Sequence, residues 1–204
     1  MQQIKNIIFD LGGVFLNINL KLTENAFSDL GLTDFSAIYS LSAATQLFEN
    51  LETGKITPSE FYNGIRHTSG LSLTDDQIKN AWNMLLLDFP QERLDWLNAI
   101  RKKYDVYLFS NTNKIHYDFF IEAFQKQTGK KDFNDYFIKA WYSHEVALRK
   151  PSPQSFITLL QQENLFLHET LFIDDTFVNI EGAAKAGLQT IHLIPPKTVI
   201  DLDL

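Results

Sequence analysis

The chain has 204 residues, of which 45% are hydrophobic and 21% charged, a composition typical of a globular protein. A net charge of -7 without any block of Lys and Arg excludes a basic surface for nucleic acid, and the absence of cysteine excludes disulfides and thiolate sites. We expect a cytoplasmic protein without a membrane partner, because no apolar run reaches about 18 residues and residues 1–16 lack a signal peptide's hydrophobic length.

The first predicted element is a strand over residues 4–9. This apolar run with β-branched residues is typical of a strand buried on both faces of a parallel sheet. The run ends at Asp10, and Gly12 and Gly13 follow it. Glycines permit a tight turn and a close approach of ligand to backbone, as an anion-binding loop requires. A plain turn has the same pattern, so this motif alone does not assign a function to Asp10.

Residues 17–88 have apolar residues at helical spacing and contain helix-capping motifs. Thr57 with Glu60, and Thr74 with Gln77, form two capping boxes. These signals predict a helical insertion. We therefore divide the chain into a core domain of residues 1–16 and 89–204 and a helical cap domain of residues 17–88.

After the insertion, predicted helices alternate with predicted strands. Helices are expected over residues 91–103, 155–163 and 178–186, strands over residues 106–109, 138–142, 170–173 and 189–193, and a surface tail over residues 195–204. This alternation predicts an α/β fold with a Rossmann-like parallel sheet covered on both faces. Ligands of such sheets bind beyond the carboxyl ends of the strands, so strand ends that are distant in sequence can meet at one site.

Polar groups follow the later strands as they follow the first. Ser110 and Asn111 can donate hydrogen bonds to phosphate oxygens, although this sequence is equally a helix cap. Lys150 precedes a proline that can fix its ammonium near an anion, or it is half of a solvated basic pair. Asp174 and Asp175 repel each other unless a cation holds them, and the alternative is an Asp helix cap with an acidic neighbour.

These four signatures, in this order and with the helical insertion, resemble the haloacid dehalogenase superfamily over the whole chain. The insertion resembles the small cap of the superfamily's first subfamily. The motifs around Asp10, Ser110 and Lys150 resemble those of bacterial sugar-phosphate phosphatases such as the alpha-glucose-1-phosphate phosphatases. The resemblance implies a magnesium-dependent phosphatase that acts on a small phosphorylated metabolite.

The resemblance also implies roles for individual residues. Asp10 would attack phosphorus and form an aspartyl-phosphate that water then hydrolyses. Lys150 would bind the phosphoryl group and keep Asp10 ionised. Ser110 and Asn111 would bind the phosphoryl oxygens. The implied ligands of Mg²⁺ are Asp10, the carbonyl of Gly12, Asp174 through water and Asp175 directly.

The sequence departs from the superfamily at Gly12, where most of its phosphatases have an aspartate that acts as general acid and base. Haloacid dehalogenases also lack this aspartate, so a dehalogenase is one alternative, although the pair Asp174 and Asp175 favours a metal-dependent enzyme. A weakly active protein that binds a phosphorylated metabolite is another. The five histidines lack metal-site spacing and are interpreted as surface or locally hydrogen-bonding residues. The sequence sets neither the substrate nor the oligomeric state.

Overall fold

A five-stranded parallel sheet forms the centre of the fold in the structure, a computed structural model that describes residues 4–33, residue 35 and residues 42–204, the side chains of residues 42–45 excepted. The strands are β1 (Asn6–Phe9), β2 (Asp105–Ser110), β3 (Lys139–Tyr142), β4 (Thr170–Asp174) and β5 (Gln189–His192). Their order in the sheet is β3-β2-β1-β4-β5, and every neighbouring pair is parallel. The predicted Rossmann-like sheet is confirmed.

Helices precede and follow the strands. Those predicted over residues 91–103, 155–163 and 178–186 are present, whereas the helices Lys114–Thr128 and Ser143–Val146 were not predicted. Between β1 and β2 lie α1 (Leu20–Asp29), α2 (Ser42–Glu52), α3 (Pro58–Ser69), α4 (Asp75–Asn83) and α5 (Gln91–Ile100). After β2 come α6 (Lys114–Thr128), α7 (Ser143–Val146), α8 (Pro153–Gln162) and α9 (Phe177–Ala186), with 3-10 turns over Phe133–Tyr136, Leu167–Glu169 and Val199–Asp201. Both predicted capping boxes form, at Thr57 and at Thr74. None of the described helices is long and apolar enough to cross a membrane.

Alternating side chains of the strands enter two hydrophobic cores, one on each face of the sheet. Ile7 and Phe9 of β1 belong to the core that α5 and α6 cover, whereas Ile8 belongs to the core that α8 and α9 cover. Both faces are buried because side chains alternate along a strand, which explains why the strands read as continuous apolar runs. The register pairs Phe9 with Leu108 and with Ile173, so β1, β2 and β4 end at the same edge.

The helices α1 to α4 have a hydrophobic core of their own, rich in aromatic rings. Phe27 stacks on Phe35 with ring centroids 4.5 Å apart, and Phe48 and Phe61 pack around Trp82. Ile115 from α6 also belongs to this core, so the helical insertion packs against the sheet domain.

The chain enters and leaves the helical insertion through two adjacent segments, which we call the neck (residues 17–18 and 86–88). Ile18 and Leu86 form an antiparallel bridge, the N–H of Asn17 donates to the carbonyl of Asp88 at 2.9 Å, and the Asn17 side chain donates to the Asp88 carboxylate at 3.0 Å. The division into cap and core at residues 17 and 88 stays a prediction, which this pairing supports.

The predicted surface tail over residues 195–204 is wrong. Val199 is fully buried in the core that α5 covers, Leu202 and Leu204 pack against that core, and Lys103 Nζ donates to the carbonyl of Leu204 at 2.9 Å. Three apolar side chains in six residues are enough to hold the segment on the domain, because each removes apolar surface from water.

Candidate active site

The polar residues that end the strands lie together at the carboxyl edge of the sheet. Asp10 follows the central strand β1 and donates its N–H to the carbonyl of Ile173 at 2.9 Å, which places it beside the end of β4. A cavity of about 680 Å³ opens at this edge. The predicted site residues that line it are Asp10, Gly12, Ser110, Asn111, Lys150 and Asp175. Asp174, the last residue of β4, is fully buried.

Lys150 joins two of the carboxylates. Its side chain is 1% exposed, and Nζ donates to Asp10 Oδ1 at 2.7 Å and to Asp174 Oδ2 at 2.8 Å. An ammonium is buried at this depth only when paired, and here two anions pair with it. Asp10 and Asp174, which lie 140 and 24 positions from Lys150 in the sequence, thus form one charge cluster with it.

The backbone of Lys150 is held from two sides. Asn111 forms a reciprocal pair with it, since Asn111 Nδ2 donates to the Lys150 carbonyl and the Lys150 N–H donates to Asn111 Oδ1, both at 2.9 Å. On the other side α9 contacts Pro151 through Gly182, where a Cβ would lie 2.0 Å from the Pro151 carbonyl oxygen. The sequence did not predict that Asn111 and Gly182 position Lys150. A signal was available for Gly182, because a glycine inside a helix costs about 1 kcal/mol relative to alanine and therefore needs a reason.

The two adjacent carboxylates differ in what surrounds them. Both oxygens of Asp174 accept hydrogen bonds, Oδ1 from the N–H of Thr176 at 2.7 Å and Oδ2 from Lys150 and from Asn179 Nδ2 at 3.0 Å. Asp175 lines the cavity, and its Oδ1 accepts from Thr176 Oγ1 at 3.1 Å. This difference favours Asp175 over Asp174 as the direct ligand of a cation.

The carboxylates of Asp10, Asp174 and Asp175 offer oxygen atoms that lie within 4.8 Å of one another. Burial, and then the nearby charge of Asp174, raise the pKa of Asp10 to about 7 despite the opposing effect of Lys150. Burial and Asp174 also raise the pKa of Asp175. Crowded carboxylates of this kind are the hard oxygen ligands that Mg²⁺ prefers, so the cluster fits a divalent cation.

The loop after Asp10 approaches this cluster closely. Gly13 has a φ of +72°, in the left-handed region, and a Cβ on it would lie 2.0 Å from Asp175 Oδ2. At Gly12 a Cβ would lie 3.2 Å from Ile18 Cδ1. The space that an aspartate would need at position 12 is therefore bordered by a side chain of the neck.

The wall of the cavity on the side of the helical insertion was missed by sequence reasoning. It is formed by Ile18, Leu20, Glu52, Trp82 and Leu85. Arg149, next to Lys150, donates from Nε to Glu52 Oε2 at 2.5 Å and joins this wall to the sheet domain. Helical periodicity shows which face of a helix is apolar but not which charged residue at its end meets another domain.

His116 also lines the cavity, but its ring nitrogens are engaged. Nε2 lies 3.1 Å from the carbonyl oxygen of Trp82, which can only accept, so Nε2 carries the proton and Nδ1 accepts from Asn113 Nδ2 at 3.1 Å. Burial lowers the pKa of His116 to about 4. His116 is thus a neutral, locally hydrogen-bonded residue, as interpreted from the sequence.

No side chain in the described part of the cavity wall takes the place of the aspartate missing at position 12. His116 is neutral with both nitrogens bonded, Glu52 accepts from Arg149, and Lys150 is shared between two carboxylates. The described part of the site thus combines the Asp10 carboxylate, a buried ammonium and a carboxylate cluster that fits a divalent cation, without a side chain that replaces an acid at position 12.

Residues 4–187 match the sequence pattern of the haloacid dehalogenase-like hydrolases. The chain belongs to this family. The match covers more than half of the chain, from β1 to the end of α9, and confirms the family that the four strand-end signatures indicate.

Three relatives of this haloacid dehalogenase-like hydrolase are informative. A D-ribitol-5-phosphate phosphatase from Bacteroides thetaiotaomicron is 34% identical over 93% of this chain and 91% of its own length. A sesquiterpene phosphatase from Aspergillus oryzae is 27% identical over 93% of this chain and 89% of its own length. A solved haloacid dehalogenase family enzyme from B. thetaiotaomicron, in complex with magnesium and inorganic phosphate, has a TM-score of 0.88 at 35% identity and covers 98% of this chain and 100% of its own.

Proposed function

We propose that the chain is a magnesium-dependent phosphatase that hydrolyses a small phosphorylated metabolite through an aspartyl-phosphate on Asp10. The observation that carries the proposal is the Lys150 ammonium fixed between Asp10 and Asp174 at the floor of a cavity. Two phosphatases among the relatives and a homologous structure with magnesium and phosphate support it.

Asp10 is the nucleophile in this proposal. One carboxylate oxygen attacks phosphorus, a new P–O bond forms, and the bond to the ester oxygen breaks, so that the leaving oxygen departs as an alkoxide and takes its proton from water. Water then attacks the same phosphorus, which releases inorganic phosphate and regenerates the Asp10 carboxylate. Lys150 holds its position through both steps, since it keeps its bond to Asp174 whatever Asp10 carries.

The position of the predicted phosphate-binding groups in the cavity wall supports their proposed role. Ser110 lines the cavity at the end of β2, and Lys150 lies between the carboxylates. The Asn111 side chain is bonded to the backbone of Lys150, so we propose that it acts mainly by positioning that residue.

Asp10, the Gly12 carbonyl and Asp175 would hold Mg²⁺ directly, and Asp174 would bind it through water. When bound, the cation supplies charge that offsets the phosphoryl oxygens and the crowded carboxylates. The hydrogen bonds that already saturate Asp174 support this division.

Replacing the nucleophile tests the proposal. Asp10→Asn is expected to bind a phosphate ester and to release less than about 10⁻³ of the wild-type phosphate per unit time, since an amide cannot form the acyl-phosphate. Asp105→Asn is a matched control, because Asp105 lies at the opposite end of its strand from Ser110 and should leave activity intact. Substantial metal-dependent phosphate release by freshly purified Asp10→Asn would refute the assignment.

A hydrolytic dehalogenase is the second candidate, suggested by the glycine at position 12. The carboxylate cluster around Lys150 argues against it, because halide displacement involves no phosphate charge and requires no divalent cation. Phosphate release that stops on chelation and returns with Mg²⁺ separates the two functions, and it also separates an enzyme from a protein that only binds its ligand.

The finer predictions on partners and location stay proposals. The relative that acts on D-ribitol 5-phosphate supports a sugar or polyol phosphate as substrate. The net charge of -7 supports the absence of a nucleic-acid partner, and the absence of cysteine supports a cytoplasmic location.

A further inference from the structure

The wall of the cavity above the phosphoryl site contains an ion pair. Glu52 is the last residue of α2, its side chain is 15% exposed, and its Oε2 accepts from Arg149 Nε at 2.5 Å. Glu49, one turn earlier on the same helix, lies 3.9 Å from another nitrogen of Arg149 and is half exposed. Of these two carboxylates, that of Glu52 is close to the guanidinium and that of Glu49 is more distant.

The backbone fixes the position of Glu52. Two residues later, Gly54 has a φ of +67°, and a Cβ there would lie 2.1 Å from the carbonyl oxygen of His144. The turn after α2 is thus seated directly on α7 of the sheet domain. This contact lies two residues from Glu52 and helps to hold its carboxylate beside Arg149.

The charges at the two ends of the cavity differ. Three of the charged side chains described in its wall belong to the phosphoryl and metal end: Asp10, Lys150 and Asp175. Glu52 and Arg149 are the other two, and they neutralise each other. A leaving group in this part of the cavity meets groups that can bond hydroxyls but no unopposed cation for a second anion.

We propose that the Glu52–Arg149 pair determines which leaving groups the site accepts. It admits phosphate esters of uncharged, hydroxyl-bearing alcohols and rejects esters whose leaving group carries a carboxylate or a second phosphate. A second anion would lie beside Glu52 in a partly buried site, where a like-charge contact costs on the order of 10²-fold in binding. This inference rests on the proposed phosphatase function and names the substrate class for it.

Two three-carbon esters test the proposal, since glycerol 3-phosphate and 3-phosphoglycerate differ mainly in the charge of the leaving group. We expect the wild-type kcat/KM to favour glycerol 3-phosphate by about 10²-fold. Glu52→Gln should reduce this ratio at least about tenfold, because Arg149 becomes available to the carboxylate of 3-phosphoglycerate. The matched control Glu49→Gln removes the same charge from the same helix at a longer distance and should change the ratio by less than about threefold.

The ratio of the kcat/KM values for the two substrates distinguishes a change in specificity from a destabilised fold. A destabilised helical insertion would lower both kcat/KM values by the same factor and leave their ratio unchanged. The double variant Glu52→Gln with Arg149→Gln removes both charges and should give a ratio between those of the wild type and Glu52→Gln. The inference is overturned if Glu52→Gln leaves the ratio unchanged or if the wild type prefers 3-phosphoglycerate. p-Nitrophenyl phosphate serves as a reference substrate. If the wild type hydrolyses esters but does not discriminate between glycerol 3-phosphate and 3-phosphoglycerate, only this inference is refuted. If the wild type hydrolyses none of the three esters, the phosphatase function is refuted as well.

Discussion

Helix α9 reaches the turn that bears Lys150 through Gly182, and Gly182→Ala would change that contact. A Cβ at this position would lie 2.0 Å from the carbonyl oxygen of Pro151 and 2.8 Å from its carbonyl carbon, whereas ordinary Cβ contacts begin at 3.4 Å. Helix and turn must therefore separate by roughly 1 Å. Both partners are backbone, so neither can give way by a change of rotamer.

The magnitude follows from two opposing effects. Overpacking costs typically about 1–3 kcal/mol, and alanine gains about 1 kcal/mol over glycine in a helix, so we expect a net loss of about 0–2 kcal/mol in the free energy of unfolding. Lys150, which we propose as a catalytic residue, precedes the displaced residue, and a displacement of about 1 Å in such a group can cost about 10²-fold in rate. The loss of activity should therefore exceed what partial unfolding explains.

Urea unfolding and phosphate release under saturating Mg²⁺ measure the two effects. Gly64→Ala is the matched control, since it is also a glycine within a helix but the three atoms nearest to its added Cβ all belong to the flexible side chain of Leu47. We expect the control to keep wild-type activity and stability within about 1 kcal/mol. If Gly182→Ala keeps kcat/KM within about threefold of the wild type, α9 does not set the position of Lys150 and the reasoning fails.

Two further predictions concern proton transfer and metal binding. Without an acid at position 12, single-turnover rates should depend steeply on the pKa of the leaving group across alkyl and aryl phosphates, and Gly12→Asp combined with Ile18→Ala should flatten that dependence by restoring a donor worth about 10²- to 10⁴-fold. A shallow slope in the wild type would mean that another donor acts. Because the pKa of Asp10 is raised to about 7, its carboxyl holds a proton below that pH, and Mg²⁺ must displace it. Calorimetric affinity for Mg²⁺ should fall by up to about tenfold per pH unit below pH 7 and level off above it, and a pH-independent affinity from pH 5 to 7 would contradict this.

The elements that were predictable from sequence are those whose sequence pattern is set by burial along one strand or by contacts between residues close in the chain. The run before Asp10 is apolar on both sides of the strand because both faces of the sheet are covered, and the boxes at Thr57 and Thr74 form because capping is a contact within four residues. Glu52 and Arg149 were not predictable, since they lie 97 positions apart and meet only when the helical insertion packs on the sheet. Val199 was missed for a related reason, because a short apolar segment without periodicity does not show that it will be buried.

The candidate site itself was predictable mainly through the resemblance of the motifs. The sequence alone placed Asp10, Ser110 and Asp174 at strand ends, and parallel-sheet geometry explains why such ends converge. The contact of Lys150 with both Asp10 and Asp174 required the fold, since its turn belongs to no strand and is held by Asn111 and by α9.

The neck has a consequence for how such a protein can evolve. Asn17 and Asp88 are hydrogen-bonded neighbours, so the two ends of the helical insertion between them lie side by side on the sheet domain. A segment with adjacent ends can be exchanged for one of another length at small cost, because each doubling of length adds only about 0.6 kcal/mol of closure entropy. A lineage can thus replace the helical insertion, and with it the part of the cavity wall that the insertion forms, while the sheet and the contact between Asp10 and Lys150 remain as they are.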